Sequence, residues 1–169
     1  MPTSYRMPPT APVLSVPGGT LPRMRPVQIV FDAQDPGRLA GFWAAALSDR
    51  GYRVPGPPDG AADWPSWLAA RGVPEDHWND ASAVESTDPA QPRLYFQRVP
   101  EPKTAKNRVH LDVRVGVGLV GDERLAILDA ECARLTDLGA TRVRLLPAGD
   151  GDESCMVMQD VEGNEFCLD

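Results

Sequence analysis

His77 and His110 are the only histidines in the chain, and so the only side chains whose ordinary pKa lies close to neutrality. His110 stands in the run VHLDV, where the two-residue period of a strand puts Asp112 on its face. Glu165 and Cys167 share a face in the same way on the closing run EFCL. An imidazole beside a carboxylate can pass a proton to or from a ligand while the carboxylate fixes its charge state. A core histidine bonded to a neighbouring carbonyl would leave the same pattern, so both readings stand. Cys167 can be a nucleophile, although a thiol on an apolar strand reads first as a small hydrophobe. His77, in EDHW, reads as part of a solvated loop. Lys103, Lys106 and Arg108 can meet an anionic group, and a solvated connection accounts for them more simply.

The elements that must position these groups follow a repeated order. Val27 to Ala33 is apolar and β-prone, and Asp35-Pro36 then supplies a cap and a proline for the first helical turn. Leu39, Phe42, Trp43, Ala46 and Leu47 make one apolar stripe, which Gly51 stops. Tyr52 to Val54 begins a strand. Residues 55–80 read as an inserted loop with a short helix near Trp64 to Ala70, and Ala81 to Ser86 and Arg93 to Val99 complete β-α-β-β-β. The order then recurs: a strand from Arg108 to Val115, a helix from Asp122 to Leu138, and strands at Thr141 to Leu146, Cys155 to Asp160 and Glu165 to Leu168. In the second helix Leu125, Leu128, Cys132, Leu135 and Leu138 mark the buried stripe, Asp122 is the expected cap and Gly139 the left-handed stop. Trp64, Trp67 and Trp78 in the insert can cover a cleft or simply pack the insert.

The whole chain narrows the classes further. Its 169 residues suffice for one domain with a proper core. A formal charge of -7 without basic runs argues against nucleic acid, and no stretch approaches the roughly 18 apolar residues of a membrane span. Residues 1–26, rich in proline, read as a flexible arm without a secretory apolar region; residues 27–169 read as one domain, with module one at 27–100 and module two at 107–169. The expected compartment is the cytoplasm, and Cys132, Cys155 and Cys167, which lack paired spacing, are expected to be reduced.

Three segments, VQIVFDAQDPGRLAGFWAAAL, LYFQRVPEPKTAKNRVHLDV and MQDVEGNEFCLD, resemble glyoxalase-like members of the vicinal oxygen chelate superfamily, over Val27 to Asp169. The resemblance implies an α+β fold in which two tandem βαβββ modules form an open, curved mixed sheet around a cleft, with helices outside. Carried over by position, the sites that hold a divalent metal in metal-dependent members correspond to Gln28, Gln97, His110 and Cys167. Two carboxamides, one imidazole and one thiol suit no common ion, so no metal or other cofactor is expected; a divalent metal, if held, would use those four. The expected ligand-binding cleft comprises Gln28, Gln97, His110, Asp112, Glu165 and Cys167, with Lys103 and Arg108 as anion contacts. The first functional expectation is a metal-free small-molecule binding protein, resembling those that sequester bleomycin-type drugs and, like them, a homodimer. The second is a lyase, isomerase or epimerase with His110 as acid or base, and the third a metal-dependent glyoxalase or dioxygenase.

Overall fold

Alternation sets the first strand. The computed structural model describes residues 27–149 and 152–169, and the expected arm lies outside them. In β1 (Gln28–Ala33) the side chains of Ile29, Phe31 and Ala33 join the core, while Gln28, Val30 and Asp32 lie on the exposed face. Asp35 then caps α1 (Pro36–Ala46), its carboxylate accepting from the Arg38 N–H at 3.1 Å with Pro36 in the first turn. β2 (Tyr52–Arg53), β3 (Ala81–Ser86) and β4 (Arg93–Arg98) complete a sheet of order β1-β4-β3-β2, with β1 and β4 parallel. Between β2 and β3, α2 (Trp64–Ala70) occupies the segment expected to be helical, because the Asp63 carboxylate caps it through the Ser66 N–H at 2.8 Å.

The second module repeats the order with β5 (Asp112–Val113), α3 (Gly121–Asp137), β6 (Thr141–Leu146), β7 (Cys155–Gln159) and β8 (Glu165–Leu168) in a sheet ordered β5-β8-β7-β6. This is the α+β architecture of two βαβββ modules. Three local expectations change. The strand expected over Arg108 to Val115 is only β5, which pairs with β8 at two positions; upstream, Asn107 bonds to the Glu165 carboxylate and carbonyl in place of a continued ladder, and His110 lies just before the strand. α3 begins at Gly121 after Val120 without a side-chain cap, so Asp122 serves the first turn through its charge and not as the cap. Its buried stripe is Arg124, Leu128, Cys132 and Leu135, whereas Leu138 is exposed.

One apolar cluster spans both modules. Trp43 of α1 packs edge-on against Phe166 of β8 with centroids 5.2 Å apart, and Phe31 sits 6.0 Å from Trp43. Full burial of each such ring contributes roughly 1.5–3 kcal/mol. Arg134 of α3 reaches the end of α1, donating to the carbonyls of Ala45 and Ala46. The sheet edges β1 and β5 thereby face a common seam. No helix among the described residues is long and apolar enough to cross a membrane.

Candidate functional site

A cavity of about 620 Å³ occupies this seam. Its floor is apolar, from Ile29, Phe31, Trp43, Leu111 and Phe166; its outer wall is the connection from Val99 to Leu111; Asp32, Glu162, Glu165 and His110 bring polar groups to it. That volume and mixture match a small-molecule site. The connection is fastened by Glu165, whose carboxylate accepts from the Asn107 N–H at 3.0 Å and pairs with Lys103 at 2.9 Å. Burial pushes the Glu165 carboxyl up, yet the Asn107 N–H and the Lys103 ammonium outweigh it and hold the group at about 2.

The motif DVEGNEF has a direct physical role here. Asp160, buried, accepts from the N–H groups of Glu162 and Asn164 and from Trp43 Nε1 at 3.2 Å. Gly163 adopts φ 82°, which closes the turn without a Cβ penalty. Glu162 is then delivered to module one, where its carboxylate accepts from the N–H groups of Gln34 at 2.8 Å and Asp35 at 2.6 Å. Burial raises the Asp160 carboxyl above its usual value despite the donors around it. Reasoning from local pattern missed Glu162, Phe31 and Trp43 as cavity residues; the strand alternation and the closing motif were the available signals.

His110 lies at the cavity with its Nδ1 2.8 Å from Asp112 Oδ1, both side chains partly exposed. Asp112 pairs in register with Cys167, so the donor atoms of His110, Asp112 and Cys167 all lie within 4.8 Å of one another. Burial, then the Cys155 thiol and the Asp112 carboxylate, push the Cys167 thiol up to about 12. Cys155 is likewise raised, chiefly by burial. Neither thiol is a ready nucleophile at neutral pH.

Gln28 and Gln97 are not brought to that point. Gln28 accepts from Arg93 Nη1 at 2.8 Å at one end of β1, and Gln97 donates to Asp32 at 2.7 Å at the other. Their register positions are separated by four residues, roughly 13 Å at strand rise. Equivalent bonds, Val99 N–H to the Ala33 carbonyl and Asp169 N–H to the Val113 carbonyl, superpose the two modules. Asp32 and Gln97 then match Asp112 and Cys167, and Val30, not Gln28, matches His110. The four-residue metal set implied by the resemblance does not fit one ion, and no chemistry is derived through it. Of the anion contacts, Lys103 is paired with Glu165, while Arg108 lines the cavity exposed. His77 is exposed beside Asp80 at 2.7 Å. Trp64 and Trp78 donate to carbonyls inside the insert, Trp67 stacks on Arg71, and none of the three lines the cavity.

A family model described as a glyoxalase-like domain matches residues 28–168, and the chain belongs to that family. Solved structures share this fold, a glyoxalase/bleomycin resistance/dioxygenase family enzyme among them. A glyoxalase/bleomycin resistance protein/dioxygenase family enzyme from Burkholderia phytofirmans is 11% identical, with TM-score 0.51, covering 83% of this chain and 94% of that one. A mutant of the fosfomycin resistance protein FosX from Listeria monocytogenes, complexed with Mn(II) and dihydroxypropylphosphonic acid, is 10% identical, with TM-score 0.51, covering 86% and 88%. The hypothetical protein SA1046 from S. aureus is 12% identical, with TM-score 0.50, covering 86% and 96%. No curated protein sequence matches the chain.

Proposed function

We propose that this protein is a cytoplasmic, homodimeric small-molecule binder that takes its ligand into the seam cavity without a metal step. The carrying observation is the cavity itself: an apolar floor from both modules under a connection pinned by Lys103, Asn107 and Glu165. A compact ligand would bury its apolar body against Phe31, Trp43 and Phe166 and meet His110 with a hydrogen-bonding group. Val30 and Val109, both exposed apolar side chains beside the seam, are consistent with a second copy at this edge.

Thermal-shift and calorimetric screening of chelator-treated protein tests the reading. A ligand at a hundred times its Kd adds roughly 2.7 kcal/mol of stability; Phe31→Ala and His110→Ala should each weaken binding about tenfold or more, since a single lost contact of ~1.4 kcal/mol has that effect. A broad panel in which no compound class stabilises the protein would end this proposal. A second reading, proton transfer beside a carbonyl, is favoured by the His110–Asp112 contact at the cavity. It expects turnover of a bound carbonyl compound that His110→Ala abolishes and Asp112→Asn slows.

A further inference from the structure

We propose that residues 6–12 of this chain's own N-terminal arm dock on a tryptophan shelf in the insert at 55–80, as an extended proline-rich segment held by Trp64 and Trp67 and by the carboxylates of Glu75 and Asp76. None of these four residues lines the cavity, and the assignment is independent of the ligand-binding reading.

The insert exposes side chains that a core would ordinarily bury. α2 has no buried residue, and Trp64 is 37% exposed. Trp64 and Trp67 meet at 76° with centroids 5.4 Å apart, an angled aromatic surface of the kind on which proline rings pack. Trp64 donates its indole N–H to the Pro55 carbonyl at 2.8 Å and Trp78 donates to Val73 at 2.9 Å, whereas the Trp67 N–H, shielded from solvent, has no partner among the described residues. A shielded donor of this kind calls for an acceptor. The carbonyl before a proline supplies one, with no N–H on the following residue to compete for it. Arg71 covers the Trp67 ring at 3.6 Å, but it pairs with the exposed Asp59 and is itself exposed, so it can swing aside without leaving a buried charge.

The arm carries the complementary chemistry. The run Arg6-Met7-Pro8-Pro9-Thr10-Ala11-Pro12 spaces Arg6, Pro9 and Pro12 by three residues. The extended helix that proline-rich sequence favours has three residues per turn, so these side chains fall along one edge. Residues 1–26 contain Arg6, Arg23 and Arg25 and no carboxylate, whereas residues 55–80 contain five carboxylates and one arginine. Asp59 and Asp80 pair with Arg71 and His77, and Asp63 caps α2, which leaves Glu75 and Asp76, exposed in the turn Glu75–His77, to meet Arg6. Reach permits the contact within one chain. Gln28, where the arm joins the sheet, pairs with Arg93; Arg93 meets Glu85 at 2.8 Å; and Glu85 pairs with Arg53, two residues before the Pro55 that holds Trp64. Those three strand spacings come to about 14 Å, and the 15 residues from Pro12 to Val27 (27 − 12) span up to about 46 Å in the extended helix.

The test uses the full chain and reads two things: the indole N–H resonances of isotope-labelled protein, and the rate of trypsin cleavage after Arg6. Pro9→Ala with Pro12→Ala alters the arm alone, and should shift the Trp64 and Trp67 resonances while that of Trp43, in the core, stays in place. Cleavage is compared between chains whose arm is unaltered. It should be about tenfold faster in Trp64→Ala than in the parent, the factor that ~1.4 kcal/mol of docking provides. Glu75→Gln with Asp76→Asn changes only exposed side chains and so keeps the test open should Trp64→Ala fold poorly; it too should speed cleavage, and high salt should do the same to the parent. Indole resonances indifferent to the proline substitutions, or cleavage equal in the parent and in the Glu75→Gln, Asp76→Asn chain, would overturn the assignment. Protection that fades on dilution would also overturn it, by giving the shelf to the arm of a second copy.

Discussion

Glu165→Gln isolates the contact that fastens the cavity wall to the second sheet. Glu165 and Lys103 meet at 2.9 Å with side chains 17% and 21% exposed. The Glu165 carboxyl is held at about 2 against an ordinary 4.5, because Asn107 and Lys103 outweigh the cost of burial. That difference, 4.5 − 2 = 2.5, corresponds to about 3 kcal/mol at most; screening by the remaining solvent reduces it to about 1–2 kcal/mol. Because the folded value lies below the unfolded one, the contribution is complete above pH 4.5 and drains away as pH falls toward 2. Urea unfolding across that range is the assay. The glutamine variant should be about 1–2 kcal/mol less stable at neutral pH, should lose stability less steeply on acidification, and should converge with the parent at the acid end. Asp35, Asp63 and Asp169, lowered by their own partners, keep part of the slope, and the raised Asp160 opposes it. Parallel curves, or equal stability at neutral pH, would refute the claim that this pair pins the connection.

Asp160→Ala removes the acceptor of Trp43 Nε1 and of two turn N–H groups in a buried setting, and should cost about 3 kcal/mol by chemical denaturation, with Asp160→Asn milder. Arg124, 2% exposed, donates to the carbonyls of Gly116 and Ser154 and pairs with Asp169. Arg124→Met should cost about 3–5 kcal/mol, read as a fall in Tm, since it strands those acceptors. Native alkylation of Cys167 should be negligible at neutral pH and accelerate only as pH rises toward 12, where its thiolate forms; rapid labelling near pH 7 would contradict the environment assigned to it.

The elements with local chemistry of their own were legible. Asp35-Pro36 announces a helix start by capping, and the periodic residues of α1 and most of those of α3 announce their faces. Features set by a distant partner were not. β5 pairs with β8 at only two positions, with Asn107 tied instead to the Glu165 side chain, and Glu162 reaches N–H groups 127 and 128 residues away. Alternation revealed that Asp112 shares the face of His110, but parity carries no register, so it could not tell Val30 from Gln28 as the counterpart of His110.

That two-residue difference bears on function. In the first module a carboxylate, Asp32, is bonded to a carboxamide, Gln97, which suits a wall and offers little to a cation. At the matching positions of the second module, Asp112 faces Cys167, with His110 and Cys155 on the same face. The backbones differ here as well, β1 pairing with β4 at six positions and β5 with β8 at two, so the contrast comes from strand length as well as from side chains.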